Sequence, residues 1–296
     1  LRRRYADLMP GHRLSRQILA TLIANALVNR MGPAFAKRAQ VDTGADVVTV
    51  ARAYEVARIV CRAAPLLKEI ESLDHKVSAR AQMLMMFEVS RTLRHASYWL
   101  IERFGDDLDI VEAVDRLKDG MARIYTRSNS YVSKASRARN ERAEQMWLEM
   151  GVPAGLAKRM SLLLLTRAAV DIADLAAERN RDVIDSARIY SVCNDALHMH
   201  TLHAFADDLK VSGRWQSMAR RNLREEFYAI RRDLGSQLLT RRSTRKPEDV
   251  ASQWFDKHAA GLEEFLRMLE EMKLRDDVDF ATLSVAAQEL RDLVSS

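Results

Sequence analysis

The apolar residues of this chain recur every three to four positions over most of its length, which is the period of an amphipathic helix. Runs in which Val, Ile, Thr or aromatic residues alternate with polar ones, the pattern of β-strands, are absent. The predicted fold class is therefore all-α, a multi-helix array. Beyond the opening segment, the pattern predicts helices over 46–72, 78–104, 107–122, 138–150, 153–178, 182–209, 213–240, 247–274 and 279–294.

The opening segment, HRLSRQILATLIANALVNRMGPAF at 12–35, is apolar on almost every side. On a helical wheel of about 100° per residue, Leu14, Ile18 and Leu22 form one stripe, and residues 18–28 are apolar nearly all round. Such a helix is typical of a protein interior. We therefore expect a central buried helix, with a stop and restart at Gly32-Pro33.

Two amides interrupt this apolar helix. Asn25 and Asn29 lie within the stripe of Leu14, Ile18 and Leu22, and their spacing of four residues makes them neighbours. Because a buried amide without partners costs about 1–3 kcal/mol, both are expected to be hydrogen-bonded. Two interpretations stay open: the amides tie neighbouring loops, the 42–46 turn or helix ends to this helix, or they contact a ligand or another subunit.

One motif occurs twice, as DVVTVARAYEV at 46–56 and again as DVIDSARIYSV at 182–192. In both copies the Asp predicts a helix N-cap, and Val, Ala and Tyr form one packing stripe. Arg52 and Arg188 lie beside Tyr54 and Tyr190. The repeat is either a coincidence between two ordinary helix starts or the mark of a duplicated helical unit, roughly 12–104 and 148–240.

The domain organisation follows from these patterns. Residues 125–140, YTRSNSYVSKASRARN, are polar and lack an apolar period, which indicates a linker. The prediction is a first helical unit over 1–124, a linker and connecting helix over 125–147, a second helical unit over 148–240, and a C-terminal helical extension over 241–296, formed by a pair of helices.

The composition fits a folded helical protein of 296 residues, since 48% of the residues are hydrophobic, 30% are charged, and only 10 Gly and 5 Pro are present. No run of 18 uncharged apolar residues occurs, so no membrane span is predicted. Cys61 and Cys193 lie far apart and no leader pattern is visible, which suits a reducing cytoplasm. The first residue is Leu rather than Met, so we expect a fragment of a longer protein.

The net charge of +6 raises the possibility of a nucleic-acid partner. The basic clusters are mostly flanked by acids, as in RRNLREEFYAIRRDL, and mixed charge of this kind predicts a solvated helix face. No zinc-finger spacing, aromatic RNA-binding motif or helix-turn-helix pattern is present. Nucleic acid is therefore not the expected partner.

The motifs of common catalytic sites are missing. The sequence has no G-x-G, and hence no dinucleotide-binding fingerprint, and it has no P-loop, C-x-x-C, H-E-x-x-H, EF-hand loop or G-x-S-x-G. His198, His200 and His203 are close in sequence, but no Cys or well-spaced carboxylate completes a metal site. Neither a catalytic residue, nor a cofactor-binding residue, nor a metal ligand is predicted.

Several segments resemble one known family. HRLSRQILATLIANALVNRMGPAF followed by TGADVVTVARAYEVAR is similar to the C-terminal region of the large bacterial NAD-dependent glutamate dehydrogenases. LDIVEAVDRL, GVPAGLAKRM and SGRWQSMARRNLREEFYAIRRDL resemble later segments of that region, in the same order. The resemblance covers most of residues 1–240, and it is weaker across 125–147 and after 240.

The resemblance implies a parent enzyme that converts L-glutamate, NAD and water to 2-oxoglutarate, ammonia and NADH in the cytoplasm. It places the catalytic lysine and the nucleotide-binding glycines upstream, so NAD is a cofactor of the parent and this region has none. The expected partners are the upstream catalytic core and further copies in a homo-oligomer, with no membrane. The competing hypothesis is a free-standing basic helical module that binds nucleic acid or an acidic protein.

What remains for this region is a polar cluster with a structural or interface role. Its candidate members are Arg13, Asn25, Asn29, Arg30, Arg52, Tyr54, Arg188 and Tyr190.

Overall fold

The computed structural model describes residues 11–240, 246–275 and 277–296. Over these residues the chain forms fifteen α-helices and three short 3-10 helices, and no β-strand, which confirms the all-α prediction. The first eight helices are α1 (Ser15–Met31), α2 (Ala34–Thr43), α3 (Val47–Val60), α4 (Ala63–Glu71), α5 (Ala79–Phe104), α6 (Ile110–Thr126), α7 (Lys134–Glu149) and α8 (Ala154–Leu162). The others are α9 (Thr166–Glu178), α10 (Val183–Ala196), α11 (Met199–Asp208), α12 (Gly213–Thr240), α13 (Pro247–Lys257), α14 (Ala259–Lys273) and α15 (Phe280–Ser295).

Several helices begin where a capping side chain satisfies a free backbone amide. The Asp46 carboxylate accepts a hydrogen bond from the amide of Thr49 at 2.7 Å, and the Asp182 carboxylate accepts one from the amide of Ile184 at 2.8 Å. Ser78 caps α5 in the same way. The two helix N-caps predicted from the repeated motif are therefore confirmed.

Four of the predicted long helices are each divided into two, so their prediction as single helices was wrong. Three of the breaks lie at Arg62, at His198 and at His258, and the fourth is the short 3-10 helix Leu163–Leu165 within the helix predicted over 153–178. Arg62 and His198 adopt φ values of +50° and +48°, a left-handed conformation that side chains with a Cβ rarely take. Since neither position carries Gly or Pro, the sequence contains no local signal for these two breaks.

The repeated motif lies in helices with matching bounds. Helix α10 begins and ends at the same offset from α3 that separates Asp182 from Asp46, and the left-handed residues Arg62 and His198 follow at this offset too. The first residues of α4 and α11 keep the offset, as do the last residues of α5 and α12. This correspondence favours duplication over coincidence, and the duplication stays a prediction.

The chain divides into two compact units. Unit 1 comprises the described part of Leu1–Lys118 together with Ala143–Arg167, and unit 2 comprises the described part of Asp119–Arg142 and Ala168–Ser296. These units differ from the predicted segments 1–124, 125–147, 148–240 and 241–296. Helices α6, α7 and α9 each continue from one unit into the other, so all three changeovers lie within a helix rather than in a loop.

The core of unit 1 lies between α3 and α5, and α1, α2 and α4 pack around this pair. Val50 and Tyr54 of α3 are fully buried, as are Met85 and Leu100 of α5. In unit 2 the long helix α12 is central and packs against α10, α11 and α15. Its Leu234 is buried, as is Leu290 of α15.

Helix α1 is not the buried central helix that its composition predicts. Leu27 is its one buried residue, whereas Leu19 and Leu22 are 53% and 51% exposed. Asn25 and Asn29 are exposed too. The prediction was wrong because an apolar circumference shows that a helix lacks a polar face, but not that enough protein surrounds it to cover every side.

No single helix within the described residues is long and apolar enough to cross a membrane. Helices α1 and α2 together meet the criterion of length and composition, but they form a pair bent by 91°.

Candidate functional site

In unit 1, the second half of α1 contains Arg30 and is contacted by Tyr54 of α3. The buried Tyr54 hydroxyl donates to the carbonyl oxygen of Ala26 at 3.2 Å. The Arg30 guanidinium pairs with the Glu71 carboxylate of α4, and the Ser90 hydroxyl of α5 donates to the Arg30 carbonyl at 3.1 Å. These contacts attach α1 to α3, α4 and α5.

Burial also sets the protonation of Tyr54. It raises the pKa of the phenol, and the nearby Glu55 adds to this, while Arg58 and Arg30 act in the opposite direction. A phenol with a raised pKa stays protonated at neutral pH and donates its proton to the carbonyl of Ala26. Its role is therefore that of a structural hydrogen-bond donor.

The other predicted residues of unit 1 stand apart from this pair. Arg13, Asn25, Asn29 and Arg52 are all exposed. Within the described part of the chain, neither Asn25 nor Asn29 has a hydrogen-bond partner for its side-chain amide. The first of the two interpretations, an internal tie, was wrong, since neither amide is buried, and a contact with a ligand or another subunit stays a prediction.

Tyr190 and Arg188 belong to unit 2, whereas the other six predicted residues belong to unit 1. The buried Tyr190 hydroxyl donates to the carboxylate of Asp171 on α9. Arg188 is half-buried and lies 3.2 Å from a carboxylate oxygen of Asp185 and 3.9 Å from one of Glu248.

Unit 2 contains a charged network centred on Arg232, which is partly exposed, and two of its carboxylates are buried. The Arg232 guanidinium pairs with the Asp171 carboxylate, with Asp174 at 2.6 Å and with Glu178 at 2.9 Å. The Asp174 side chain is fully buried, and that of Asp171 is only 6% exposed. A buried carboxylate requires such a partner, because leaving water without one costs several kcal/mol.

Arg231, the neighbour of Arg232, is 4% exposed and lies between two aromatic rings. Its guanidinium carbon is 5.0 Å from the ring centres of both Tyr190 and Tyr228, a cation–π arrangement on each side. One of its nitrogens donates to the side-chain oxygen of Asn194 at 3.3 Å. The prediction that the Arg231–Arg232 pair lies on a solvated helix face was therefore wrong.

The sequence indicates the acidic residues of this network but not their cationic partner. Asp171, Asp174 and Glu178 fall at i, i+3 and i+7 within AAVDIADLAAE, so all three lie on one side of a helix with an otherwise apolar sequence. Acidic residues on an otherwise apolar helix indicate a cationic side chain nearby. Local sequence does not show which cationic residue this is, since Arg232 lies 61 residues after Asp171.

The pKa shifts in and beside the network keep Arg232, Tyr190 and Cys193 in their protonated forms. Burial acts to lower the pKa of Arg232, but Asp171, Tyr190 and Asp174 raise it more, and the net shift is upward. Burial raises the pKa of Tyr190, and Asp171 raises it further. Burial also raises the pKa of the Cys193 thiol to about 12, although Arg231 opposes this. The guanidinium is charged and the phenol and thiol are protonated, so none of these three groups is a general base or a nucleophile in this state.

The three histidines have packing roles. The rings of His198 and His200 stack at 6.0 Å, and His203 stacks on Tyr228 at 4.1 Å with Phe227 edge-on at 5.8 Å. Over the residues that the structure describes, no three His, Cys, Asp or Glu side chains are arranged to hold a metal ion.

Comparison with known proteins gives one consistent result. The profile of the family described as "Glutamate dehydrogenase, C-terminal" matches residues 1–292. A protein of Pseudomonas aeruginosa and one of Halomonas elongata, both named NAD-specific glutamate dehydrogenase, are each 28% identical to the chain over its whole length. A protein of the same name from Mycobacterium tuberculosis is 24% identical over 98% of the chain.

The chain spans 18% of the length of each of these relatives, and the match falls in their C-terminal region. The chain belongs to the family formed by the C-terminal region of NAD-specific glutamate dehydrogenases.

Proposed function

We propose that this chain is the non-catalytic C-terminal helical region of an NAD-dependent glutamate dehydrogenase. The parent enzyme oxidises L-glutamate with NAD and water to 2-oxoglutarate, ammonia and NADH in the cytoplasm. The observation that carries the proposal is the family match over residues 1–292, joined to relatives that extend well beyond it and are named for this reaction.

The role proposed for the region itself is that of a structural, oligomerisation or regulatory module. Its buried tyrosines and the Arg232 network support this, because Tyr54, Tyr190 and Arg232 all donate hydrogen bonds to neighbouring helices. The thiols of Cys61 and Cys193 support it too, since burial raises the pKa of each to about 12. The proposed partners are the upstream catalytic core of the same protein and other copies of it.

The test compares the 296-residue chain with the full-length parent enzyme. NADH formation from L-glutamate is followed by absorbance for both proteins at equal molar concentration. We expect steady turnover from the parent and no NADH above the enzyme-free rate from the chain. Turnover by the purified chain at a measurable fraction of the parent rate would refute a non-catalytic role.

A second candidate function is an autonomous basic module for nucleic acid. The net charge of +6 favours it, but Arg224 pairs with Asp207 and Arg232 with Asp171, so part of that charge is neutralised internally. Fluorescence anisotropy with a labelled duplex at several salt concentrations tests it. Binding that falls steeply with salt supports this function, and no binding near physiological salt removes it.

A further inference from the structure

The first half of α1, residues 15–24, is largely apolar and yet exposed on every side. Successive residues of a helix are rotated by about 100°, so four consecutive residues cover its whole circumference. All four residues of one such turn are exposed, namely Leu19 (53%), Ala20, Thr21 and Leu22 (51%). The one buried residue of the helix, Leu27, lies in the second half. The first half therefore has no face that the described part of the chain buries.

The polar contacts that attach α1 to α3, α4 and α5 lie in its second half. The Tyr54 hydroxyl donates to the Ala26 carbonyl, and Arg30 pairs with Glu71. A short helix without tertiary packing is only marginally stable in water, and a helix with apolar residues on all sides is normally buried. The first half of α1 thus has the composition of a buried helix and lacks the packing of one.

Helix α8 corresponds in the repeat to this exposed part of α1. At the offset that separates Asp182 from Asp46, residues 154–162 of α8 match residues 18–26 of α1. Three residues of α8 are buried where their counterparts in α1 are exposed: Leu156, Ala157 and Met160, which correspond to Ala20, Thr21 and Ala24. The same stretch of the repeat is therefore covered in the second copy and uncovered in the first.

The surface against which α8 packs comes from earlier in the chain. Helix α8 belongs to unit 1, which consists of the described part of Leu1–Lys118 and of the adjoining residues Ala143–Arg167. Arg159 of α8 pairs with Glu69 of α4, and the 3-10 helix that follows α8 contacts α5. The opening helix of the second repeat thus packs on helices of the first repeat, which precede it.

We propose that the first half of α1 packs, in the parent protein, on an apolar surface of the part of the same polypeptide that precedes this region. The repeat supports this choice of partner, because α8 is covered by helices that come before it and α1 is its counterpart. The relatives contain such a part, since the chain spans 18% of their length and matches their C-terminal region. The inference rests on the proposed function and assigns the surface through which the region contacts the upstream core.

Site-specific cross-linking in the full-length parent tests the contact directly. The photoreactive residue p-benzoylphenylalanine replaces Leu19 in one preparation and Leu22 in another, and irradiation joins it to residues in contact with it. We expect a product of monomeric mass on a denaturing gel, in which mass spectrometry finds a peptide from upstream of this region. A joined peptide from within residues 1–296, a product of twice the monomeric mass, or no product at either position overturns the proposal.

A charge placed in the contact gives a quantitative test. In the parent that carries p-benzoylphenylalanine at position 19, Leu22→Glu should lower the cross-linking yield about fivefold or more, because the contact then buries a charge without a partner. Leu274→Glu is the matched control, since it adds the same charge at an 88% exposed residue outside α1, and it should leave the yield unchanged. Equal yields in the two variants contradict a contact at Leu22. If the Leu22→Glu parent does not fold, the peptides found at positions 19 and 22 decide alone.

The 296-residue chain shows whether the cover of α1 comes from outside it. Leu22→Glu should leave the melting temperature of this chain unchanged in circular dichroism, whereas Leu156→Glu, at a buried residue of α8, should lower it strongly. A lower melting temperature with Leu22→Glu would mean that residues 1–296 cover α1 themselves, and this overturns the proposal. None of these measurements follows turnover, so the contact can fail while the assignment of the parent enzyme stands.

Discussion

Tyr54 and Tyr190 occupy equivalent positions in the repeated motif, yet their buried hydroxyl groups have partners of different charge. Tyr54 donates to a backbone carbonyl, that of Ala26, and Tyr190 donates to the carboxylate of Asp171. Both rings lie on helices whose bounds are related by the offset of the repeat. The same residue at the same helical position has thus been fitted into two different polar environments.

This difference predicts that the two tyrosines contribute unequally to stability. Hydrogen bonds to charged groups contribute more than those between neutral groups, about 1.5–3 against 0.5–1.5 kcal/mol. We expect Tyr190→Phe to lower the free energy of unfolding by the larger amount and Tyr54→Phe by the smaller. Urea unfolding followed by circular dichroism measures both, and equal losses would show that the charge of Asp171 adds nothing to its bond with Tyr190.

The ring of Tyr190 also explains a glycine inside a long helix. Gly235 of α12 corresponds to Trp99 of α5 at the offset of the repeat, and a Cβ at Gly235 would lie 2.7 Å from Cε2 of Tyr190. Because the tyrosine is buried and held by Asp171, its ring has little room to move. We expect Gly235→Ala to destabilise the chain by about 1–3 kcal/mol, despite the higher helix propensity of Ala.

The matched control for this substitution is Gly155→Ala in α8. A Cβ there would lie 3.9 Å from a guanidinium nitrogen of Arg159, an ordinary contact. The propensity gain should then prevail, with stability rising by up to about 1 kcal/mol. Thermal unfolding of both variants checks the pair, and a stable Gly235→Ala chain would mean that the Tyr190 ring yields more easily than its burial implies.

The charged network predicts that removing the Arg232 guanidinium lowers the free energy of unfolding by a large amount. Arg232→Met leaves Asp171 and Asp174 buried without their guanidinium, and breaking a buried pair in this way costs about 3–5 kcal/mol. Arg291→Met is the matched control, because Arg291 pairs with Glu226 at a surface where the two side chains are 46% and 31% exposed. Its loss should be no more than about 1 kcal/mol. Chemical denaturation of both variants at neutral pH gives the comparison.

Much of the fold follows from local patterns in the sequence. The period of the apolar residues predicts the all-α class, and Asp46 and Asp182 mark their helix starts because an N-cap depends on residues within one turn. The breaks at Arg62 and His198 leave no such trace. Both residues adopt a left-handed conformation although neither is Gly or Asn, so the residue type at these positions does not predict the break.

The candidate site, too, is predicted from local sequence only in part. Tyr54 and Tyr190 are recognisable as packing residues from their stripe, but their partners, Ala26 and Asp171, lie on other helices. The exposure of Asn25 is not recognisable at all, since an apolar helix that is buried and one that awaits a partner have the same period. Local sequence predicts the helices, and long-range contacts decide which faces of these helices are buried.

The two cysteines give a prediction about reactivity. Burial raises the pKa of both thiols to about 12, so at pH 8 only about one in ten thousand is a thiolate, the reactive form. We expect the folded chain to react very slowly with a disulfide reagent such as DTNB, and both thiols to react promptly in denaturant. Fast reaction of one thiol in the folded chain would show that its helix opens readily to solvent.

The N-cap of α10 predicts a pH dependence of stability. Partial burial acts to raise the pKa of Asp182, but the Arg123 guanidinium at 2.6 Å and the amides of Ile184 and Asp185 lower it more, and the net shift is below the ordinary value of 3.8. A carboxylate with a depressed pKa in the folded state stabilises the fold above its unfolded pKa, and this contribution is lost as the pH falls through the folded pKa.

The substitution Asp182→Asn isolates this contribution, because Asn caps a helix about as well as Asp but carries no charge. At pH 7 the variant should be less stable by up to about 1 kcal/mol, the scale of a half-exposed ion pair. The difference from wild type should narrow as the pH falls below about 4 and vanish at lower pH. In an Arg123→Met background the same substitution should cost less at pH 7, since the partner of the charge is gone. Urea unfolding at several pH values measures these differences, and a gap that stays constant with pH would mean that the ion pair does not contribute to it.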